Sequence, residues 1–152
     1  MTEGKSPALR EEHPDHPGWC EWGAAEGTRY NEAVLGLMLA RLDDREHARI
    51  RVFPREMLTN PHGVIHGGAI LGLIDVAMFA GSSILLGERL ESGVTVDLSN
   101  QFLAPGDPTR PLDAVVEVVR ETGRMVFVRG QVVQEDDLIG SFSGILRKIP
   151  RK

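Results

Sequence analysis

The chain has 152 residues, 41% hydrophobic and 26% charged, the length and balance of one globular domain with its own core, which excludes collagen-like, coiled-coil and wholly disordered classes. The formal net charge is −5 with no dense Lys/Arg block, which disfavours nucleic-acid binding through a broad basic surface. One cysteine, Cys20, excludes an intrachain disulfide framework, and the first residues hold no apolar run of the kind a signal peptide needs, so the expected location is the cytoplasm.

Residues 1–28 are polar and broken by Pro7, Pro14, Pro17, Gly18, Gly23 and Gly27. They read as a loosely ordered N-terminal arm, docked by Trp19 and Trp22, ahead of a domain spanning 29–152. His13, His16 and Cys20 match no zinc-ligand spacing, and no metal is expected. Residues 28–35 read as a short helix ending at Gly36. Segments 37–43 and 47–53 follow, separated by Asp43 and Asp44. In the second, Ala48, Ile50 and Val52 alternate with Arg49 and Arg51, the period of a strand. Residues 54–66, with Pro54, Asn60, Pro61 and Gly63, form a structured loop.

The run GGAILGLIDVAMFAGSSILLG is too long for a strand and reads as a helix. Its apolar residues fall on nearly every side, so it is either a membrane span or a helix buried in protein. Asp75 near its middle, Ser82, Ser83 and the glycines favour burial, with Leu71, Ile74, Met78 and Phe79 as core. Beyond it, GVTVDLSNQFLAP, LDAVVEVVRETG, RMVFVRGQVVQEDD and LIGSFSGILRKI each alternate. Turn residues at Pro105-Gly106, Thr122-Gly123 and Asp136-Asp137 separate them. One long helix covered by a curved antiparallel sheet of five or six strands is an α+β layer architecture.

Two features of the Asn60–Ala77 stretch point to chemistry. His66-Gly67-Gly68 opens the helix with no Ser, Thr or Asp at the cap. The first N–H groups therefore lack an obvious partner and can face a developing negative charge. Asp75 sits in an otherwise uncharged helix, where a carboxylate must find a partner, take a proton or face a pocket open to water. A structural Asp bonded to a loop backbone is the plain alternative to a general base. Gly68 and Asp75 lie on nearly the same face about 10 Å apart along the axis. That is too far for one small reacting group to meet both within one chain. If both features act in one site, the donors come from one subunit and Asp75 from another.

The order Asn60, Gly63, His66-Gly67-Gly68, Asp75 and then GVTVDLSNQF resembles the hotdog-fold acyl-CoA thioesterases, most closely the phenylacetate-degradation (PaaI-like) subgroup, over roughly residues 33–148. The resemblance implies a curved antiparallel sheet wrapped round the helix, and a homodimer joined sheet edge to sheet edge that pairs again into tetramers in many members. It implies a thioester carbonyl polarised by the Gly67 N–H, with Asn60 assisting or ordering the loop. His66 supports the loop, Thr95 places water or the carboxylate, and Asp75 of the partner subunit acts as general base or nucleophile. The substrate is an acyl-CoA, coenzyme A being part of the substrate and no cofactor needed; neither nucleic acid nor membrane is an expected partner. The main alternative is a non-catalytic acyl-CoA binding or sensing protein on the same fold. A hotdog dehydratase fits less well, because His66 precedes the helix. Arg120, Arg124 and Arg129 could reach the phosphates of coenzyme A, but solvated strand positions are their plainer reading. Ser82 and Ser83 lack the turn that a serine nucleophile needs.

Overall fold

The computed structural model describes residues 9–24 and 26–150; positions 1–8 of the arm and the basic pair at 151–152 lie outside it. Seven strands form one antiparallel sheet: β1 (Cys20–Glu21), β2 (Met38–Leu42), β3 (His47–Val52), β4 (Gly93–Phe102), β5 (Leu112–Glu121), β6 (Met125–Gln134) and β7 (Asp137–Lys148). Their order across the sheet is β1-β2-β3-β5-β6-β7-β4. The helix α1 (Gly67–Leu86) lies in the hollow of this sheet. This is the hotdog fold expected from the alternating segments. The count exceeds five or six because the arm contributes β1, whose Cys20 and Glu21 pair with Ala40 and Leu39.

The period-two segments face inward as read. Ala48, Ile50 and Val52 of β3 meet Ala114 and Val116 of β5, all at most 1% exposed, under Leu73, Ile74, Ala77 and Met78 of α1. Gly81 lets the helix settle on β5, since a Cβ there would stand 2.6 Å from Cβ of Val116. By length and composition α1 could cross a membrane; ten of its residues are instead buried against the rest of the chain. The β6–β7 turn falls on Glu135 and Asp136, one residue earlier than the Asp136-Asp137 reading, because Asp137 already pairs with Gln134.

The expected helix over 28–35 is a single π-helical turn, Asn31–Leu35, closed at Gly36 with φ +73°. Residues 12–22 of the arm are tied down by hydrogen bonds. Gly18 N–H donates to Glu12 Oε1 at 2.8 Å, and Trp22 N–H donates to Met38 O at 2.9 Å. Trp19 is buried with the guanidinium groups of Arg41 and Arg51 over its ring at 4.3 and 4.4 Å. Arg51 in turn forks onto the buried Asp113 with bonds of 2.7 and 2.8 Å. On the outer face of the sheet Arg129 donates to Glu117 at 2.9 Å and holds that carboxyl below the usual carboxylate range. Its charge therefore already has a partner.

The two ends of the sheet differ. At one end, β1 is short. At the other, β4 runs ten residues and among the described residues pairs only with β7, so its outer edge is a free sheet edge there. The β4–β7 register slips between Thr95 and Asp97, which leaves Val96 bulged. Val94, Val96 and Phe102 on this edge are each about half exposed.

Candidate active site

The expectation that α1 has no wet face is corrected by the structure. The curved sheet wraps the helix but leaves a stripe uncovered, with Gly68, Leu71 and Asp75 exposed and Gly72, Val76 and Phe79 half-buried. The spacing is that of one helical face. Ile74 and Met78 are core as read, whereas Leu71 and Phe79 are not fully enclosed. Composition cannot show this, since the stripe is as apolar as the buried faces apart from Asp75.

At the helix start the loop is built by Asn60. Its Oδ1 accepts from the N–H of His62 at 2.9 Å and of Val64 at 3.4 Å, while Asn60 N–H and Val64 O close the turn at 2.9 Å. These bonds tie the Asn60 side chain to its own loop. The N-cap is His66, at φ −62° and ψ 136°. Its Nδ1 accepts from Gly68 N–H at 2.8 Å, which requires an unprotonated Nδ1. The sequence pattern missed this cap because imidazole is not among the usual capping groups. With Gly68 satisfied by His66, and with Ala69 and Ile70 bonded to His66 O, Gly67 is left as the first helical N–H, without a partner among the described residues. Phe102 of β4 stands beside it; a Cβ on Gly67 would lie 3.3 Å from that ring.

His66→Ala is expected to cost about 1 kcal/mol of stability, the usual worth of a side-chain N-cap. A denaturant melt measures it directly. A loss of activity larger than this stability change predicts would show that the imidazole also acts on substrate.

About two helical turns further on, Asp75 shares with Thr95 a cleft of about 600 Å³, whose other walls include Trp22, Asn31, Val76 and Phe79. Asp75 is exposed and faces this open cleft. Asp75 makes no hydrogen bond or ion pair to any described residue, so the structural-Asp alternative finds no support. Tyr30 crosses the open stripe beside the cleft, where a Cβ on Gly72 would come within 2.3 Å of its hydroxyl. Trp22, Tyr30 and Asn31 were not singled out for this site by sequence pattern. Their relation to Asp75 arises only when the arm and the π-helical turn fold over α1.

The five expected site residues thus form two groups. Asn60, His66 and Gly67 gather at the N-terminus of α1; Asp75 and Thr95 share the cleft. Eight residues of helix, about 12 Å of rise, separate Gly67 from Asp75. His13 and His16 lie apart from both groups, their rings 5.0 Å from each other, and Cys20 is buried in β1. Ser82 and Ser83 are buried, and their hydroxyls have no partner among the described residues.

Residues 62–141, just over half of the chain, match the Thioesterase superfamily, and the chain belongs to that family. No curated protein matches by sequence. Among solved structures, a conserved protein from Pseudomonas aeruginosa is 25% identical over 80% of this chain and 94% of its own, with a TM-score of 0.69. The PaaI protein of the Escherichia coli phenylacetic acid degradation operon is 21% identical over 73% and 82%, with a TM-score of 0.63. A thioesterase from Haemophilus influenzae is 17% identical over 74% and 78%, with a TM-score of 0.65. These likenesses agree with the hotdog architecture.

Proposed function

We propose that the protein is an acyl-CoA thioesterase acting as a homodimer, with two composite sites. The observation that supports this most directly is an unpaired Asp75 in an open cleft with Thr95, on the same helix as the free Gly67 N–H but about 12 Å from it along the axis. Within one chain the two groups cannot serve one carbonyl. A second copy can bring its own Gly67 to this cleft. The long free edge of β4, with Val94, Val96 and Phe102 exposed beside the open stripe of α1, is the kind of surface a second copy would cover.

The chemistry follows from the parts. The thioester carbonyl lies against the Gly67 N–H of one subunit, which stabilises the negative charge that builds on oxygen. Asp75 of the other subunit takes a proton from water as the water oxygen bonds to the carbonyl carbon. The C–S bond then breaks, the acid is released, and the thiolate of coenzyme A takes up a proton. Alternatively, the Asp75 carboxylate attacks the carbonyl carbon, the C–S bond breaks to release the coenzyme A thiolate, which takes up a proton, and water hydrolyses the resulting acyl anhydride to the free acid and the Asp75 carboxylate. Thr95 lines the same cleft, and in this scheme its hydroxyl orients water or the carboxylate. Coenzyme A enters as part of the substrate, and this scheme uses no cofactor. Given a panel of acyl-CoA thioesters, the purified protein is expected to release free thiol continuously, as read with a thiol reagent. Tight binding of the same thioesters without turnover would instead make it a binding or sensing protein.

A further inference from the structure

We infer that Trp22 and Phe79 form the end wall of the acyl site and limit the substrate to short or single-ring acyl groups; this rests on the thioesterase reading of the Asp75 cleft. Beyond that cleft lies a second one of about 320 Å³, bordered by Gly23, Ser83 and Leu90 among others. The two clefts have two wall residues in common, Trp22 and Phe79. Asp75, Phe79 and Ser83 follow one another at four-residue steps on one face of α1, so the wall stands about 6 Å along the axis from the carboxylate and the second cleft about 6 Å further. An acyl group held with its carbonyl at Asp75 and running along the helix meets the wall after one turn. That leaves length for one ring or a short chain.

The wall is fixed rather than loose. Trp22 is bonded through its backbone to Met38 O at 2.9 Å, directly after the β1 ladder. Gly23, which follows it, holds φ +72°. Both aromatic side chains are partly buried and pack against the core. Their carbon surfaces, with Val76 and Val94, give the Asp75 cleft an apolar side suited to a hydrocarbon group. Removing either ring would join the two clefts into one channel along α1.

The test compares hexanoyl-, benzoyl- and dodecanoyl-CoA as substrates of the full chain, its Trp22→Ala variant and its Phe79→Leu variant, each first confirmed as folded by its melting curve. The wild-type protein is expected to favour hexanoyl- or benzoyl-CoA. In the variants the ratio of kcat/KM for dodecanoyl- over hexanoyl-CoA is expected to rise tenfold or more, mainly through a lower KM for the long chain. A wild-type preference for dodecanoyl-CoA, or a ratio unchanged in both folded variants, overturns the wall. Calorimetric binding of free hexanoate and dodecanoate runs in parallel and needs no turnover. If no thioester is hydrolysed, the thioesterase reading fails, and the wall is then judged on binding alone. A tenfold gain in dodecanoate affinity in either variant upholds it, and no gain in both overturns it.

Discussion

Asp75→Asn is expected to lower kcat for the best acyl-CoA substrate by about 10²- to 10⁴-fold, the usual worth of a positioned general base. KM should move by no more than a few-fold, because the amide keeps the size and shape of the carboxylate. Stability should stay within about 0.5 kcal/mol of wild type, since the side chain is exposed in the chain and bonds to no described residue. This combination separates a chemical role from a structural one. A structural Asp would lose stability on amidation and recover neither fold nor rate; a bystander would lose nothing. Hydrolysis by Asp75→Asn at the wild-type rate would remove the base from the mechanism. Asp75→Glu is the companion variant. It keeps the charge and changes only the reach, so partial activity there together with deep loss in Asp75→Asn ties the defect to the carboxylate itself.

Much of the fold can be read from local period. The switch from a twenty-residue apolar run to four alternating segments sets one helix against a sheet, and Ala48, Ile50 and Val52 face inward as their alternation requires. What escaped the reading is what tertiary contact decides. The two-residue strand β1 has no pattern of its own and exists because Trp19, stacked on Arg41 and Arg51, holds the arm beside β2. The seven strands do not follow chain order, and no local signal placed β4 at the far edge, beyond β7. The coverage of α1 belongs to the same class. An all-round apolar helix shows that burial is expected, but the curvature of the sheet decides which side it leaves open, and that side carries Asp75.

The candidate site was legible to a different extent at each end. Asn60, His66 and Gly67 are close in sequence, and their grouping follows from a loop feeding a helix. The roles within that group needed coordinates: His66 takes up the Gly68 N–H, and only then is Gly67 singled out as the free donor. Asp75 and Thr95 are separated by the end of α1 and a turn, yet both open into one cleft. The aromatic wall behind them is built from Trp22, a residue of the arm, and no spacing rule connects it to Phe79.

Gly67→Pro offers the sharpest test of the composite site, because it removes the Gly67 N–H and puts the proline ring in place of its hydrogen. Proline is well suited to the first position of a helix, where its missing donor breaks no intrahelical bond. His66, at φ −62° and ψ 136°, already holds the extended conformation that a following proline demands. The nearest obstacle, the ring of Phe102 at 3.3 Å from an added Cβ, is half exposed and free to yield. The variant is therefore expected to fold and to lose about 10²- to 10³-fold in kcat, as when one oxyanion donor is removed. Co-expressing it with Asp75→Asn under two different affinity tags yields a heterodimer with a predictable outcome. If each site joins Gly67 of one subunit to Asp75 of the other, one site receives both intact groups and the other receives neither. The heterodimer then regains about half the wild-type rate, while both parent homodimers stay inactive. If each chain supplied both groups to its own site, every site in the heterodimer would carry one defect and no activity would return. Separation of the heterodimer on both tags, followed by a single thiol-release assay, distinguishes the two arrangements.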